Sequence, residues 1–288
     1  MPLRLMSAIA DPSDRTLARR AKRMLRRVCP RAILMWREAS YFRRFGEVEL
    51  GIVRLLCRPE ADSVDIGANE GSYIHFMRRY SRHVHAFEPV PWLADLLASK
   101  FPKGVTVHGM ALSDTSGTAV LQIPIAAGGV VTGLASLNPR AVADYPESRR
   151  IEVPMAPFDA VYSGTVGFIK IDVEGHEEAV LDGARKAIER CHPRLLIEIE
   201  ERMSPGAVSR ITRMLGRLNY RGDFIRGRAL EPIEHFDARS MQRPEDIAGF
   251  GGGVPRRHFA GYINNFLFFP PDEPETTLPQ IQARLRRV

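Results

Sequence analysis

The sequence predicts an α/β fold in which a mostly parallel β-sheet is covered by helices on both faces. From residue 61 onward, short apolar segments alternate with helical segments, which is typical of parallel strands joined by helical crossovers. The first predicted strand, 62–66, leads into a turn of small residues, 67–71, and then into a helix. A strand, a glycine turn and a helix N-terminus in this order bring bare backbone N–H groups up to a ligand. These observations predict both the sheet and a binding site at its edge.

The remaining elements follow from the same alternation and from residues that mark helix ends. Pro91 stands in the first turn of one helix, and Ser204 with Pro205 begins another, positions that these residues favour. Two insertions, 124–150 and 228–261, are rich in Gly, Pro and Arg, and we expect both above the carboxyl ends of the strands. The predicted strands lie at 62–66, 83–87, 105–112, 166–175, 194–200 and 262–270, with short extended pieces at 118–123 and 151–153. The predicted helices lie at 71–80, 91–101, 176–190 and 204–218.

Composition excludes several classes of protein. The 288 residues are 44% apolar and 26% charged, which is ordinary for a globular protein. The three cysteines, Cys29, Cys57 and Cys191, form no close pair, which argues against a disulfide framework and a structural zinc site. There is no run of 18 apolar residues and no apolar core before a cleavage site. We therefore expect neither a transmembrane helix nor a signal peptide, and we expect a cytoplasmic protein.

Positive charge is concentrated at the N-terminus. Residues 1–45 hold 12 Lys and Arg against 3 Asp and Glu, whereas the other 243 residues hold 29 against 31. Among the arginines, apolar residues recur at helical spacing, which predicts a basic amphipathic helix. These apolar residues are Leu17, Ala21, Met24, Leu25 and Val28. Such a helix either covers one side of the domain, contacts an anionic membrane surface through residues 14–45, or binds a nucleic-acid or protein partner.

The turn after the first strand predicts an adenosine-type cofactor site. Glu88 ends the second strand, 21 positions after Gly67, where an acid can hold a ribose diol. The turn reads G-x-N-x-G, with Asn69 in place of the second glycine of a dinucleotide fingerprint. Asp65, just before the turn, would repel a pyrophosphate and attract an ammonium group. S-adenosylmethionine has an amino-acid moiety and no phosphate, so the residues favour it over a dinucleotide.

A second group of charged residues follows the fourth core strand. Its members stand at alternate positions, which share one face of an extended strand, and they are Lys170, Asp172, Glu174 and His176. Because unpaired charges are costly to bury, the strand must end near 170–172 and deliver Glu174 and His176 to the rim of the site. The end of the neighbouring strand adds Glu198 and Glu200.

Three interpretations of this cluster stay open. In the first, a carboxylate or His176 takes a proton from a substrate hydroxyl and makes it a better nucleophile. In the second, Asp172, Glu174 and a later acid bind a divalent ion that lowers the pKa of that hydroxyl, although we do not expect a metal ion. In the third, Glu174 and Glu177 only stabilise a helix N-terminus, with Lys170 as their ion-pair partner.

Six segments, in this order along the chain, resemble one known family. They are VDIGANEGSY (64–73), HAFEPVP (85–91), ALSD (111–114), GLASL (133–137), IKIDVEGHEEAVLDGA (169–184) and NNFLFFP (264–270). Together they resemble the FkbM family of S-adenosylmethionine-dependent methyltransferases. The resemblance covers roughly residues 60–270, and the ordered set is far more specific than any one motif.

The resemblance implies a class I methyltransferase sheet of seven strands with an antiparallel last strand. It also implies methyl transfer from S-adenosylmethionine to a hydroxyl of a sugar, glycan or polyketide-type small molecule. Three groups of residues would bind the cofactor: Asp65, Gly67, Asn69 and Gly71 around the methionine moiety, Glu88 at the ribose, and Met110, Ala111 and Asp114 at the adenine. The residues facing the transferred methyl group would be Asp172, Glu174 and His176.

We therefore predict a methyltransferase domain at 59–272, a basic helical extension at 1–58 and a C-terminal tail at 273–288. One alternative is a nucleic-acid methyltransferase that uses the basic extension, and another is a non-catalytic adaptor that keeps the cofactor fold. Against the first, the fourth strand exits as IDVEG, not as the Asn/Asp-Pro-Pro-aromatic run of enzymes that methylate base amino groups. Against the second, acids stand at both 172 and 174.

Overall fold

The computed structural model of the chain describes residues 31–126, 129–247 and 261–287. Twelve strands lie within these ranges. In chain order they are β1 (Asp62–Ile66), β2 (Val84–Phe87), β3 (Val105–His108), β4 (Ala111–Leu112), β5 (Gly117–Ala126), β6 (Gly129–Val130), β7 (Glu147–Ala156), β8 (Val166–Ile171), β9 (Arg194–Glu198), β10 (Arg221–Arg226), β11 (Ala229–Pro232) and β12 (Asn265–Phe269). Eight form a main sheet in the order β11-β10-β12-β9-β8-β1-β2-β3, and the other four form a second sheet in the order β4-β7-β5-β6.

The centre of the main sheet is parallel and buried. β1, β2, β3, β8 and β9 run in one direction. Every residue of β1 and β8 is buried, as is typical of the central strands of a parallel sheet. β12 runs antiparallel to both of its neighbours, β9 and β10. The predicted α/β fold with a mixed sheet is confirmed. The strand order reverses beside β1, which is where ligands bind in open sheets of this kind.

The main sheet has eight strands, so the predicted number of seven is wrong. After β10 the chain turns at Gly227, whose φ is +63°, and returns as β11 along the edge of the sheet. β11 lies within the segment that the sequence predicts as an insertion, 228–261. Its Gly and Arg residues are typical of a loop, and only the packing of Phe224 and Ile233 on the core identifies it as sheet.

The second sheet lies where the sequence predicted only short extended pieces. β5 and β7 pair antiparallel along nine residues of each strand. One face packs Leu121, Ile123 and Val153 into a small apolar core, whereas the other face of β7 is largely exposed. Because half of the residues of β7 are polar, this segment lacks the apolar content of a buried strand. The strand predicted at 105–112 is also two strands, β3 in the main sheet and β4 in the second.

Helices cover the main sheet on both faces. The described helices are α1 (Arg31–Phe45), α2 (Val53–Leu56), α3 (Ile74–Met77), α4 (Pro91–Lys100), α5 (Phe158–Val161), α6 (Glu177–Gly183), α7 (Arg185–Cys191), α8 (Ala207–Gly216), α9 (Ala238–Met241), α10 (Pro244–Ile247) and α11 (Thr277–Leu285). One apolar core lies between the sheet and α6, α7 and α8, and the other includes residues of α2, α3, α4 and α11. The helix predicted at 71–80 is α-helical only in α3, and that at 176–190 is two helices that meet at Ala184.

Helix α1 packs on the domain through one buried ion-pair network. Glu38 contacts His75 Nε2 at 3.2 Å and Lys100 Nζ at 2.7 Å, and Ala39 is buried nearby in sequence. Burial opposes the ionisation of Glu38, but the bonds from His75 and Lys100 lower its pKa to about 2. The apolar stripe of the predicted basic helix, residues 17–28, lies outside the described residues. Within the described part of the chain, no helix is both long enough and apolar enough to cross a membrane.

Candidate active site

The turn that follows β1 packs backbone against backbone. Gly67 N donates a hydrogen bond to Phe87 O at 3.0 Å, and Asp172 N donates one to Ile66 O at 3.0 Å. The exits of β1, β2 and β8 therefore meet at this turn. Gly67 has a φ of +78°, and a Cβ there would lie only 1.8 Å from the carbonyl oxygen of Asp172. No other residue fits this position without moving one of the two strand exits.

Glu88, at the end of β2, is fixed by two backbone N–H groups. Its Oε2 accepts a hydrogen bond from Asn69 N at 2.7 Å, and its Oε1 accepts one from Val90 N at 2.9 Å. The side chain is buried. Burial raises the pKa of Glu88 to about 7, although the two hydrogen bonds oppose the rise. Asn69 has a φ of +45°, and its amide oxygen has no hydrogen-bond partner among the described residues.

Asp65 is buried beneath the turn, and the positive charge of a lysine partly offsets its negative charge. It is buried, and its register partner on β8 is Lys170. Burial raises the pKa of Asp65 to about 6, although Lys170 lowers it. Lys170 is also buried, and its Nζ lies 5.0 Å from the ring centroid of Tyr73. Asp65 does not line the groove described next, so any effect it has on a bound ammonium group acts through the electric field and not by contact.

A narrow groove runs between the strand ends and the segment 132–137. Gly67, Asn69, Glu88, Met110 and Ala111, all predicted to bind the cofactor, line it. Two other predicted cofactor residues do not. Gly71 lies behind the turn, and Asp114 has an exposed side chain that accepts a hydrogen bond from Ser113 Oγ at 3.1 Å. The groove has a volume of about 50 Å³.

A larger cavity of about 280 Å³ adjoins the groove, and Glu174 and Gly133 line both spaces. Glutamates dominate its lining: Glu47, Glu49, Glu174, Glu198 and Glu200. The basic side chain that lines it is Arg202, which is bonded to Glu200. We call this space the acidic cavity. Its position beyond the groove, at the ends of β8, β9 and β12, makes it the place for a second reactant.

The strand-exit acids differ in their surroundings. Lys170 Nζ donates a hydrogen bond to Asp172 Oδ2 at 2.6 Å, so Asp172 is held in an ion pair. Glu174 has a φ of +54°, an unusual conformation for a residue with a side chain. Burial, with the neighbouring Asp172 and Glu200, raises the pKa of Glu174 well above its ordinary value. Lys170 thus pairs with Asp172, and not with Glu174 or Glu177 as one interpretation had it.

His176 lies beside Ser113 at the edge of the groove. Its Nε2 lies 2.9 Å from Ser113 Oγ, and it lines the groove but not the acidic cavity. Burial lowers the pKa of His176, although Asp114 opposes the shift. The imidazole therefore lines the groove together with Asp172 and Glu174, but it does not reach the acidic cavity that Glu174 also lines.

Three residues of the acidic cavity were missed by the sequence analysis. Glu47 accepts a hydrogen bond from Tyr73 OH at 2.6 Å, Asn264 donates to Glu198 Oε1, and Asn265 Nδ2 lies 3.4 Å from Glu47 Oε2. They come from the chain before β1 and from the start of the last strand, far from the strand-exit motif. The only local signal was the Asn264-Asn265 pair before the apolar run of β12, and Glu47 had none.

The chain is an α/β protein with a groove where the strand order of its main sheet reverses, and comparisons with known proteins specify its family. A family model of the FkbM methyltransferase domain matches residues 65–223, more than half of the chain. The chain belongs to the FkbM methyltransferase family and is an S-adenosylmethionine-dependent methyltransferase. No match is found among curated proteins.

Solved structures with a similar fold include other methyltransferases. Methyltransferase FkbM from Methylobacillus flagellatus KT is 17% identical, with a TM-score of 0.45 over 74% of this chain and 44% of that chain. The present chain thus spans less than half the length of that protein. An rRNA methylase from Streptococcus thermophilus is 10% identical, with a TM-score of 0.39 over 77% of this chain and 93% of that chain. SMU.1697c, a methyltransferase-like protein from Streptococcus mutans solved with S-adenosylhomocysteine, is 9% identical. Its TM-score is 0.34 over 78% of this chain and 95% of that chain. Likenesses at these TM-scores carry no inference about substrate.

Proposed function

We propose that the chain transfers a methyl group from S-adenosylmethionine to a hydroxyl oxygen of a sugar, glycan or polyketide-type small molecule. The observation that carries this proposal is the junction of the groove and the acidic cavity at Glu174 and Gly133. Molecules held in the two spaces can meet there. Carboxylates are hydrogen-bond acceptors, so the acidic cavity suits an acceptor that presents several hydroxyl groups.

The groove residues fit the cofactor in chemical type. Glu88 would accept hydrogen bonds from the ribose hydroxyls, Met110 and Ala111 would border the adenine, and the unpartnered amide oxygen of Asn69 would accept one from the ammonium group. The groove is smaller than the roughly 300–1,000 Å³ of typical ligand pockets. The segment 132–137 that lines it must therefore move outward to admit the cofactor.

The chain's own part in the reaction is to orient the acceptor and remove its proton. The bound cofactor supplies a methyl group that is already activated as an electrophile. Glu174 lies at the junction, where its carboxylate can accept the proton of an acceptor hydroxyl. Asp172 is held by Lys170 and contributes negative charge beside it. Alignment of the acceptor oxygen with the methyl group supplies the rest of the acceleration.

The test is methyl transfer from methyl-labelled cofactor to separate panels of sugars, oligosaccharides, hydroxylated polyketide-type compounds, lipids and RNA. We expect label in at least one hydroxyl compound, in a linkage that resists mild base as an ether does. Label only in RNA would replace this proposal with a nucleic-acid methyltransferase. Cofactor binding without transfer to any panel would favour the adaptor.

We also propose that the N-terminal segment contacts an anionic membrane surface. Trp36 on α1 is 66% exposed, and the side chains of Arg37, Arg43 and Arg44 on the same helix are exposed as well. An exposed aromatic ring among basic residues suits the headgroup region of a bilayer. Docking of this kind would place the enzyme beside a lipid-linked or membrane-derived acceptor.

A further inference from the structure

Three carboxylates from two strand exits converge where the groove meets the acidic cavity. Asp172 and Glu174 follow β8, and Glu198 ends β9. One oxygen from each can be chosen such that all three lie within 4.8 Å of one another. Charged oxygens at this spacing repel one another strongly in a partly buried site. A cation between them removes that repulsion, and three carboxylate oxygens are ligands that hard divalent ions prefer.

A second, independent observation points to the same place. Asn265 lies directly opposite Glu198 on the neighbouring strand β12, lines the acidic cavity and is 7% exposed. Its Nδ2 bonds to Glu47, but its amide oxygen has no hydrogen-bond partner among the described residues. An unsatisfied buried acceptor is destabilising. A cation beside Glu198 would use this oxygen as a further ligand.

The ammonium group of Lys170 does not neutralise the three carboxylates in place of such an ion. Lys170 Nζ occupies Oδ2 of Asp172, which leaves the other oxygen of that carboxylate available. The same ammonium also faces Asp65 across the β1–β8 pair. Lys170 therefore offsets part of the charge behind the cluster, and Glu174 and Glu198 still face the cavity.

We propose that Asp172, Glu174 and Glu198, with the amide oxygen of Asn265, bind one divalent metal ion, Mg²⁺ or Mn²⁺. The donor set is all oxygen, which does not suit zinc or copper. As an extension that rests on the proposed function, the ion would hold the acceptor hydroxyl and lower its pKa. The O–H bond then breaks and its proton passes to the second oxygen of Glu174. The O–CH₃ bond forms as the S–CH₃ bond breaks, its electron pair stays on sulfur, and no oxidant or reductant is needed.

Binding is measured on the full chain, freed of metal with a chelator and without cofactor or acceptor. Mn²⁺ is titrated and followed by the loss of the free-ion electron paramagnetic resonance signal, and Mg²⁺ is then added as competitor. We expect one ion per chain, and Glu198→Gln to weaken binding about tenfold or more. Asn265→Leu should weaken it less and Asn265→Asp should strengthen it. Glu178→Gln, an acid outside the cavity that pairs with Arg210, should bind Mn²⁺ within about threefold of the wild type.

Each variant is accepted as folded when it keeps its melting temperature and binds S-adenosylhomocysteine. The absence of Mn²⁺ binding to the wild type at millimolar concentrations overturns the proposal. Equal binding by the wild type and Glu198→Gln also overturns it, because the ion then lies elsewhere. Methyl transfer is scored separately. If the chain binds Mn²⁺ but methylates no hydroxyl compound, the metal site stands and the proposed function fails. If the chain binds no Mn²⁺ and transfers methyl groups fully in excess chelator, the proposed function stands and the metal site fails.

Discussion

The groove and the acidic cavity share Glu174 and Gly133. Backbone contacts determine the shape of the groove, whereas charged side chains determine the character of the acidic cavity. In the groove, Gly67 lies against the carbonyl of Asp172, and backbone N–H groups fix Glu88. In the acidic cavity, carboxyl side chains crowd together, and the pKa values of Glu174 and Glu198 are raised mainly by burial and by Asp172. The groove thus depends on shape and the cavity on charge, so the two should respond differently to the same kind of change.

The largest expected effect is on chemistry in the acidic cavity. Glu174→Gln keeps the shape of the side chain but removes the proton acceptor, and methyl transfer should fall by roughly 10²–10⁴. Affinity for S-adenosylhomocysteine and the melting temperature should stay near those of the wild type, because no buried charge is left unpaired. Glu178→Gln is the matched control, since Glu178 pairs with Arg210 on the outer surface. Near-normal turnover in Glu174→Gln would assign proton removal to another group, with Asp172 next to be replaced.

The second-largest expected effect follows from a change in the shape of the groove. Gly67→Ala places a methyl group 1.8 Å from a carbonyl oxygen, and we expect a loss of about 3 kcal/mol or more in unfolding free energy, together with loss of cofactor binding. Gly104→Ala is the control, because Gly104 also has a positive φ, +73°, but no atom lies within 4 Å of its added Cβ. It should lose only about 1–2 kcal/mol. Equal losses in urea denaturation would show that φ alone, and not the close approach, limits residue 67.

A smaller effect concerns the acid at the tip of β2. Glu88→Ala should weaken S-adenosylhomocysteine binding by about 1–3 kcal/mol, because a charge-assisted hydrogen bond is lost. The ribose hydroxyls donate to the ionised form, and the pKa of Glu88 is about 7. Affinity should therefore rise as the pH increases from 6 to 8 in the wild type and change little in the variant, as calorimetry can measure. Glu152→Ala, an exposed acid on β7, should follow the wild type. A pH-independent wild type would argue against contact between Glu88 and the ribose.

Outside both spaces, Glu38 tests how α1 is attached. Its pKa is lowered to about 2 from an ordinary 4.5, so the stabilisation is present above about pH 4.5 and is lost as the pH falls through 2. Glu38→Gln should cost about 1–3 kcal/mol at pH 7, and the difference from the wild type should shrink between pH 5 and pH 3. Glu60→Gln, on the surface, should cost almost nothing. An unchanged melting temperature in Glu38→Gln would mean that α1 contributes little to the stability of the domain.

The smallest effect is expected at the membrane. Trp36→Ser should reduce sedimentation of the full chain with anionic vesicles at low salt by a few-fold, without changing the melting temperature, because the ring is mostly exposed. Neutral vesicles and high salt serve as controls, since salt screens the basic residues. If the wild type ignores anionic vesicles, the membrane proposal fails and α1 is a structural cover.

The contrast between the two spaces also explains what the sequence could reveal. The groove is encoded locally: Gly67, Asn69 and Glu88 stand at spacings that the strand–turn–helix geometry demands, and all three line it. The acidic cavity is assembled from distant segments. Asp172, Glu174 and Glu198 were visible as strand-exit acids, but Glu47 and Asn265 are 218 positions apart and form no local pattern. Asp114 was placed at the adenine from the family resemblance, whereas its neighbour Ser113 makes the contact with His176.

The position of β12 has a consequence for the synthesis of the protein. β12 is inserted between β9 and β10, so two strands made earlier must wait for a third that is synthesised after both of them. β1, β2 and β3, with the glycine turn and Glu88, can form while the ribosome still holds the last strand. The nascent chain would then present a cofactor groove before Asn264 and Asn265 have closed the acidic cavity. Long-range insertion of this kind is slow, and the interval before it is the period when the unpaired edges of β9 and β10 are open to chaperones or to aggregation.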